Sequence, residues 1–322
     1  MPKVSVIIPI YGVEKYIERC ARSLFEQTLD DIEFIFVNDC TPDNSVKVLE
    51  DTLSNYPERR HQVRIFNLPQ NMGAAQARKV GIFAARGEYV IHCDSDDWVD
   101  IHIYEILYNE ATVKKADIVI CDMYKVDSKT QVQYTQTVSY NKDRYLRDLI
   151  SRKTTCSICN KLVSKSIVQS DKIIYPESHM LEDQLLCVQY VFYASKYIYI
   201  QKPLYYYFVN SLSVCHRLSE DACRRRAIDA QNNINLLLTF LQRKGLLKEY
   251  RHEIVRLKYT PRVFIWPLLL DNPKHYLPLW KSFYPEINCK YFFTKGISFI
   301  LKFIFLLAIL GIYPVIYKIL KR

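Results

Sequence analysis

Gly87–Asp97 reads GEYVIHCDSDD, and the rest of the chain is best understood outward from it. YVIHC (Tyr89–Cys93) has the apolar profile of a strand buried in a parallel sheet, and it runs straight into three carboxylates within four residues. Gathering Asp94, Asp96 and Asp97 at the end of a buried strand is costly unless cations neutralise them. A hard divalent ion with a diphosphate meets that need, because Mg²⁺ or Mn²⁺ takes one or two protein carboxylates and fills its shell with phosphate oxygens and water. Solvated turns are also rich in Asp, so the cluster alone leaves an ordinary turn open.

Upstream, VSVIIPI (Val4–Ile10) is a β-branched run followed by Ile17, Cys20, Ala21, Leu24 and Phe25 at helical spacing. IEFIFV (Ile32–Val37), the polar turn NDCTPDNS (Asn38–Ser45) and a helical stretch to about Leu53 repeat the pattern. VRIFNL (Val63–Leu68) and a helix from about Ala74 to Ala85 lead back to the opening stretch. Strands alternating with helices predict an α/β sheet that begins doubly wound. Such sheets bind ligands at the carboxyl ends of their strands, so Tyr11, Asp39 and the Asp94–Asp97 turn should converge on one crevice. Glycine is scarce, seven in all, yet Gly73, Gly81 and Gly87 fall within Gln70–Tyr89. That clustering suggests a turn at Gly73, close packing at Gly81 and a positive-φ helix cap at Gly87. Arg78, near the start of the same helix, reads either as a cation that reaches a phosphate or the carboxylates at the next strand end, or as a surface arginine.

Downstream, DIVICD (Asp117–Asp122) predicts a further strand, and Gln131–Tyr140 is less regular. From about Ser219 the chain reads as a basic amphipathic helix to Lys244, a break at Gly245 and a second helix to about Tyr259. The run GISFILKFIFLLAILGIYPVIY, residues 296–317, is apolar apart from Ser298 and Lys302, and a helix of about 20 residues just crosses a bilayer core. An in-plane anchor, a single span and a buried covering helix all remain open, with Pro314 as the expected end or kink. The net charge of +10 is spread along the chain except in its last third, which favours an anionic membrane surface over nucleic acid. The ten cysteines are scattered, several inside apolar runs, which suits free thiols in a reducing compartment; Cys156 and Cys159 form an isolated CxxC. Val4–Ile10 is too short and too soon interrupted for a signal peptide, so a cytoplasmic catalytic part is expected.

Taken together, VSVIIPIYGVEKYIERCARSLFEQT, IEFIFVNDCTPDNS and NMGAAQARKVGIFAARGEYVIHCDSDD resemble the family 2 glycosyltransferases in order and spacing over residues 4–100. The resemblance implies a GT-A fold, Rossmann-like with a mixed sheet flanked by helices, plus a C-terminal helical region. It implies an inverting transferase that moves a sugar from a nucleotide diphosphate sugar, with UDP favoured, to an acceptor hydroxyl. By the same resemblance Pro9, Tyr11 and Asp39 meet the base, Asn71, Arg78 and Asp94 lie near the nucleotide, and Asp96 with Asp97 beside it hold Mn²⁺ or Mg²⁺. One departure is Asn38-Asp39-Cys40-Thr41 where the family commonly has Asp-Asp-Gly-Ser, which puts a glycine-requiring backbone at Cys40 in question.

A second segment, CNKLVSKSIV and then IIYPESHMLEDQLLCVQYVFYASKYIYIQKPLYYYFVNSLSV (Cys159–Val214), is similar to the family's downstream region. There a Glu-Asp pair before an apolar helix supplies the catalytic base, here Asp183, with Glu182 adjacent. Without the upstream motifs the same pair reads as an acidic helix start favoured by the macrodipole. His216 and Arg217 stand as either a diphosphate clamp or a surface turn, and the Tyr205–Phe208 aromatics as either an acceptor platform or strand packing. Expected domains are 1–215 for the transferase (nucleotide half about 1–125, acceptor half about 126–215), 216–290 for a helical extension and 291–322 for a basic apolar membrane-associating helix. The expected acceptor is a surface polysaccharide or lipid-linked glycan at the inner face of the cell membrane. Two rivals are a sugar nucleotidyltransferase, which would carry a Gly-rich basic loop where PIYGVEKY stands, and a catalytically silent nucleotide-sugar-binding module.

Overall fold

The computed structural model describes residues 1–209, 219–313 and 317. In chain order its first elements are β1 (Val4–Ile10), α1 (Ile17–Phe25), β2 (Ile32–Asn38), α2 (Ser45–Leu53), β3 (Val63–Asn67), α3 (Ala74–Ala84) and β4 (Tyr89–His92). Next come β5 (Trp98–Val99), α4 (Ile103–Lys114), β6 (Ile118–Val126), β7 (Gln131–Tyr134) and α5 (Lys142–Ile150). β8 (Lys161–Ser164), α6 (Lys165–Val168), α7 (Glu182–Tyr193) and β9 (Tyr197–Phe208) complete this part. The chain divides into two compact units: Met1–Leu149, Thr154–Pro176 and Leu186–Asn210 form one, and Ile150–Lys153, Glu177–Leu185 and Ser211–Arg322 the other.

The first unit is built on one mixed sheet in the order β3-β2-β1-β4-β8-β6-β9-β5, with β7 pairing on β6. β1 lies parallel to both β2 and β4, and β2 to β3, while β8 runs antiparallel to β4 and β6. Because β1 has partners on both sides from later in the chain, the connections diverge around it and leave a crevice at its carboxyl end. The β-branched runs give the core: Val4, Val6, Ile7, Ile8 and Ile10 are buried completely, as are Phe34, Ile35, Phe36 and Val37. On α1 the buried residues are Ile17, Cys20, Ala21, Leu24 and Phe25, the spacing read from the sequence.

The three clustered glycines have three reasons. Gly73 has φ 87° and stands at the N-terminus of α3. Gly81 packs against Ile7, where a methyl group would collide with the Ile7 side chain. Gly87 corrects an expectation: it is not among the positive-φ residues. Its need is spatial, since a Cβ there would lie 2.7 Å from the backbone nitrogen of Ser5.

The second unit is helical: α8 (Glu220–Arg243), α9 (Arg251–Asp271), α10 (Pro273–Ser282), α11 (Ile287–Phe293) and α12 (Phe299–Ile309). α9 continues past Tyr259 through Pro261 and Pro267, where the sequence suggested a stop. Proline removes a helical hydrogen bond, but burial of Pro261, Ile265, Leu268 and Leu269 holds the helix in register. Arg262, completely buried, donates to the carbonyls of Lys281, Phe283 and Tyr284 and so ties α9 to the end of α10.

The apolar run near the C-terminus is shorter than expected. α12 spans 11 residues to Ile309 and is capped by Gly311, which has φ 74°: its N–H bonds the Ala308 carbonyl, and the Ile312 N–H bonds the Leu307 carbonyl, while Pro314, the expected end or kink, lies outside the described residues. This is a glycine-terminated Schellman end, which satisfies the last carbonyls and turns the chain away. Among the described residues no helix is long and apolar enough to cross a membrane. Phe293, Phe299, Ile300 and Leu310 are nonetheless 60–78% exposed, an unusual density of large apolar side chains on one short stretch.

Candidate active site

Three strand ends of the first unit bring the site together. β1 delivers Pro9 and, just beyond its end, Tyr11; β2 leads into Asp39; β4 leads through Cys93 into Asp94–Asp97. A cavity of about 220 Å³ is lined by Pro9, Tyr11, Asp39, Arg78, Asp94 and Asp96, with Ile10, Val13, Ala74 and Ser95. Six of the residues singled out from the sequence therefore meet in one place. Asn71 and Asp97 do not line it, and Asp183 belongs to the second unit. His216 and Arg217 lie outside the described residues.

Each carboxylate has a different environment. Asp39 accepts from the backbone N–H of Met72 and of Gly73, both at 2.7 Å, so it fixes the loop that starts α3. Asp94 accepts from Arg78 Nη2 at 2.6 Å. Burial works to raise the Asp94 carboxyl, but the Arg78 charge and hydrogen bond hold it below the usual carboxylate range. Asp96 has no ion-pair partner among the described residues, and burial followed by the charge of Asp94 pushes its carboxyl up to about 6. Asp97 is 1% exposed and turned into the protein: Tyr205 Oη donates to its Oδ2 at 2.5 Å and the Phe208 N–H to its Oδ1 at 2.7 Å. Burial, then the charges of Asp94 and Asp96, raises the Asp97 carboxyl well above its ordinary value.

The turn itself is closed by the Asp97 N–H on the Asp94 carbonyl at 3.0 Å. Two residues hold it: Tyr205, marked in the sequence only as part of an aromatic stripe, and Arg19, which the sequence did not mark. Tyr205, on β9, accepts from the Asp94 N–H at 3.1 Å while donating to Asp97, so one hydroxyl pins both ends of the turn. Arg19, on α1, donates to the Asp96 carbonyl at 2.7 Å, and its guanidinium carbon lies 3.8 Å from the centroid of the Trp98 ring. Trp98 in turn stacks on Tyr206, and Tyr206 on Tyr124, so the aromatic stripe of β9 is engaged in ring packing. Period-2 burial in YYYF hints at Tyr205, but nothing in the α1 pattern singles out Arg19. His92 is buried at the end of β4, and neither ring nitrogen has a hydrogen-bond partner among the described residues.

Nothing among the described residues forms an all-protein cage of three or more His, Cys, Asp or Glu ligands. The carboxylate set still suits a divalent ion that brings phosphate and water as its other ligands. Asp96 lines the cavity half-buried and without an ion-pair partner among the described residues, and desolvation with the charge of Asp94 outweighs the more distant Arg19 and Arg78 in raising its carboxyl.

A family model described as Glycosyl transferase family 2 matches residues 5–170. The chain belongs to glycosyl transferase family 2. This glycosyltransferase is 30% identical over 261 residues to EpsH of Bacillus subtilis (strain 168), covering 79% of this chain and 73% of that protein. Its fold is similar to S. aureus TarS 1-349 solved with UDP-GlcNAc, with TM-score 0.60 and 18% identity, covering 98% of this chain and 90% of that one. It is also similar to the mannosyltransferase PcManGT from Pyrobaculum calidifontis, solved with GDP-Man and Mn²⁺, with TM-score 0.54 and 14% identity over 92% and 88% of the two chains. The glycosyltransferase thus has the GT-A architecture, a mixed sheet flanked by helices with further helices at its C-terminus.

Asp183 sits in the first turn of α7, half-buried, two residues after Leu181, whose φ is 67°. Asn233, on α8, donates to the carbonyls of Ser178 and Met180 at 2.7 and 2.8 Å, anchoring the approach to that turn. A left-handed leucine is strained backbone held by its surroundings.

Proposed function

We propose that this glycosyltransferase is inverting and metal-dependent, and that it moves a sugar from a UDP-sugar to a hydroxyl of a surface polysaccharide or a lipid-linked glycan. The observation that carries this reading is the single cavity shared by Pro9, Tyr11, Asp39, Arg78, Asp94 and Asp96. Support for the donor class comes from TarS with UDP-GlcNAc and PcManGT with GDP-Man and Mn²⁺, which share the fold.

In this reading Pro9 and Tyr11 border the base, and Asp39 serves it while holding the Met72–Gly73 loop. Asn71, in that loop, is assigned to the nucleotide with Arg78 and Asp94. Asp96 is the carboxylate that would hold Mn²⁺ or Mg²⁺. Asp97, expected beside it as a ligand, is assigned instead to anchoring the turn, since both its oxygens are engaged by Tyr205 and Phe208. When bound, the ion supplies positive charge where the departing diphosphate becomes more negative. Arg78 adds positive charge to the same cavity, fixed in place before the reaction. Asp183 takes the proton of the acceptor hydroxyl as that oxygen forms its bond to the anomeric carbon and the bond to the diphosphate breaks. A base without a covalent nucleophile gives inversion.

The exposed Phe293, Phe299, Ile300 and Leu310, accompanied in sequence by Lys290, Lys295 and Lys302, support attachment in the plane of an anionic membrane surface, at the cell membrane's inner face. The residue ranges expected for the helical extension and the membrane-associating segment, 216–290 and 291–322, are retained as part of this proposal.

The test is donor hydrolysis and transfer by the purified chain with UDP-, dTDP- and GDP-sugars. Expected are UDP-sugar turnover abolished by chelator and by Asp96→Ala, and a kcat lowered about 10²–10⁴-fold by Asp183→Asn with donor KM little changed. Turnover that survives chelator, or full activity in Asp183→Asn, overturns the corresponding assignment.

A further inference from the structure

The second unit holds a larger cavity than the first, about 670 Å³, set among α8, α9 and α11. Its walls are mainly apolar, with Leu238 and Leu247 on one side and Ile254, Val255, Ile287 and Phe293 on the other. Arg251, His252, Lys258 and Lys290 also line it, against a single acidic residue, Glu286. Lys258 is paired with Glu286 at 2.5 Å, and Lys290 also acts on that carboxylate from further off, so one acidic residue faces all the cations; Arg251 and Lys290 are exposed and form no ion pair within 4 Å among the described residues. A cavity of this size, lined by apolar side chains with a few placed polar groups, has the make-up of a small-molecule site.

Two features say what kind of molecule. The apolar wall is continuous with the exposed apolar stretch, because Phe293 both lines the cavity and is 78% exposed. The charged residues then require an anionic head beside a hydrocarbon body.

We propose that this cavity binds the hydrocarbon chain of a lipid phosphate, with Arg251 and Lys290 holding the phosphate. As the site of a lipid-linked acceptor it rests on the function proposed above. The lipid binding itself is measurable without any glycosyl transfer. A phosphate held by two exposed cations beside a greasy cleft is recognised by both parts together, so neither an alcohol of the same chain nor free phosphate should substitute.

The test is calorimetric binding of farnesyl phosphate, farnesol and inorganic phosphate to the full chain, below the concentration at which the lipids aggregate. Farnesyl phosphate should bind at least about tenfold tighter than either control, and Arg251→Glu with Lys290→Glu should weaken it about tenfold. Leu238→Trp, which fills the cavity from a half-buried position, should weaken it comparably. Phe299→Asp with Ile300→Asp, which alters only the exposed stretch of α12, should leave it unchanged. UDP and Mn²⁺ binding, measured on each variant, should not move. Equal binding of farnesol, insensitivity to both cavity variants, or loss only in the α12 variant overturns the site. So does a dimer in sedimentation that Leu238→Trp dissociates, which would make a second copy the occupant. Failure of UDP binding with farnesyl phosphate binding intact would instead count against the donor reading alone.

Discussion

Cys40 has φ 55° at the turn after β2, where the family resemblance raised the question of a glycine. A side chain in the left-handed region costs roughly 1–2 kcal/mol, and glycine gives back about half of the relief through its freer unfolded state. Cys40→Gly should therefore stabilise the protein by roughly 0.5–1 kcal/mol, read as a shift in urea midpoint at unchanged m-value. His92 gives a pH-dependent counterpart. Burial, and then Arg78, lowers its imidazole to about 3, so the unfolded chain binds the proton more readily than the folded one. The stability this contributes is complete above the unfolded value of 6.5 and is lost as pH falls toward 3. The loss steepens below pH 6.5 toward a limit of roughly 1.4 kcal/mol per pH unit, and His92→Leu should remove it from denaturation curves between pH 6.5 and 5.

Tyr205 shows how an element far along the chain sets the geometry of one near its start. β9 pairs with β5 through Val99–Tyr205 and Trp98–Tyr206, which places the Tyr205 hydroxyl between Asp94 and Asp97. Tyr205→Phe leaves a buried carboxylate short of a donor and a backbone N–H short of an acceptor. It should cost about 1–3 kcal/mol of stability and lower Mn²⁺-dependent turnover, whereas a purely packing role would change neither beyond a few tenths. β1, β2, α1 and α3 were legible in the sequence because each follows one period cleanly. The carboxyl-end residues Tyr11, Asp39, Asp94 and Asp96 followed from that topology. Arg19 was not legible, because a cation on a half-buried helix has no periodic signature. The reach of α9 past Pro261 and the stop of α12 at Gly311 depend on tertiary packing and on a cap, which local hydropathy does not register.

At the scale of the molecule, nucleotide and metal binding are proposed for the sheet unit, and the base Asp183 and membrane contact for the helical one. Sedimentation with vesicles should report the second role separately. Binding to vesicles containing anionic lipid is expected, weaker at high salt and with neutral lipid, and lost in Phe299→Asp with Ile300→Asp while UDP binding persists. Binding equal in the variant would place the contact elsewhere on the protein. Asp96 is proposed to join a divalent ion to a nucleotide diphosphate, and the decisive measurement is UDP calorimetry with and without Mn²⁺ across pH. Tight binding is expected only with Mn²⁺, weakening as pH falls through about 6, toward which burial and Asp94 raise the Asp96 carboxyl, and abolished by Asp96→Ala. UDP binding that is indifferent to Mn²⁺, to this pH range and to Asp96→Ala would contradict it.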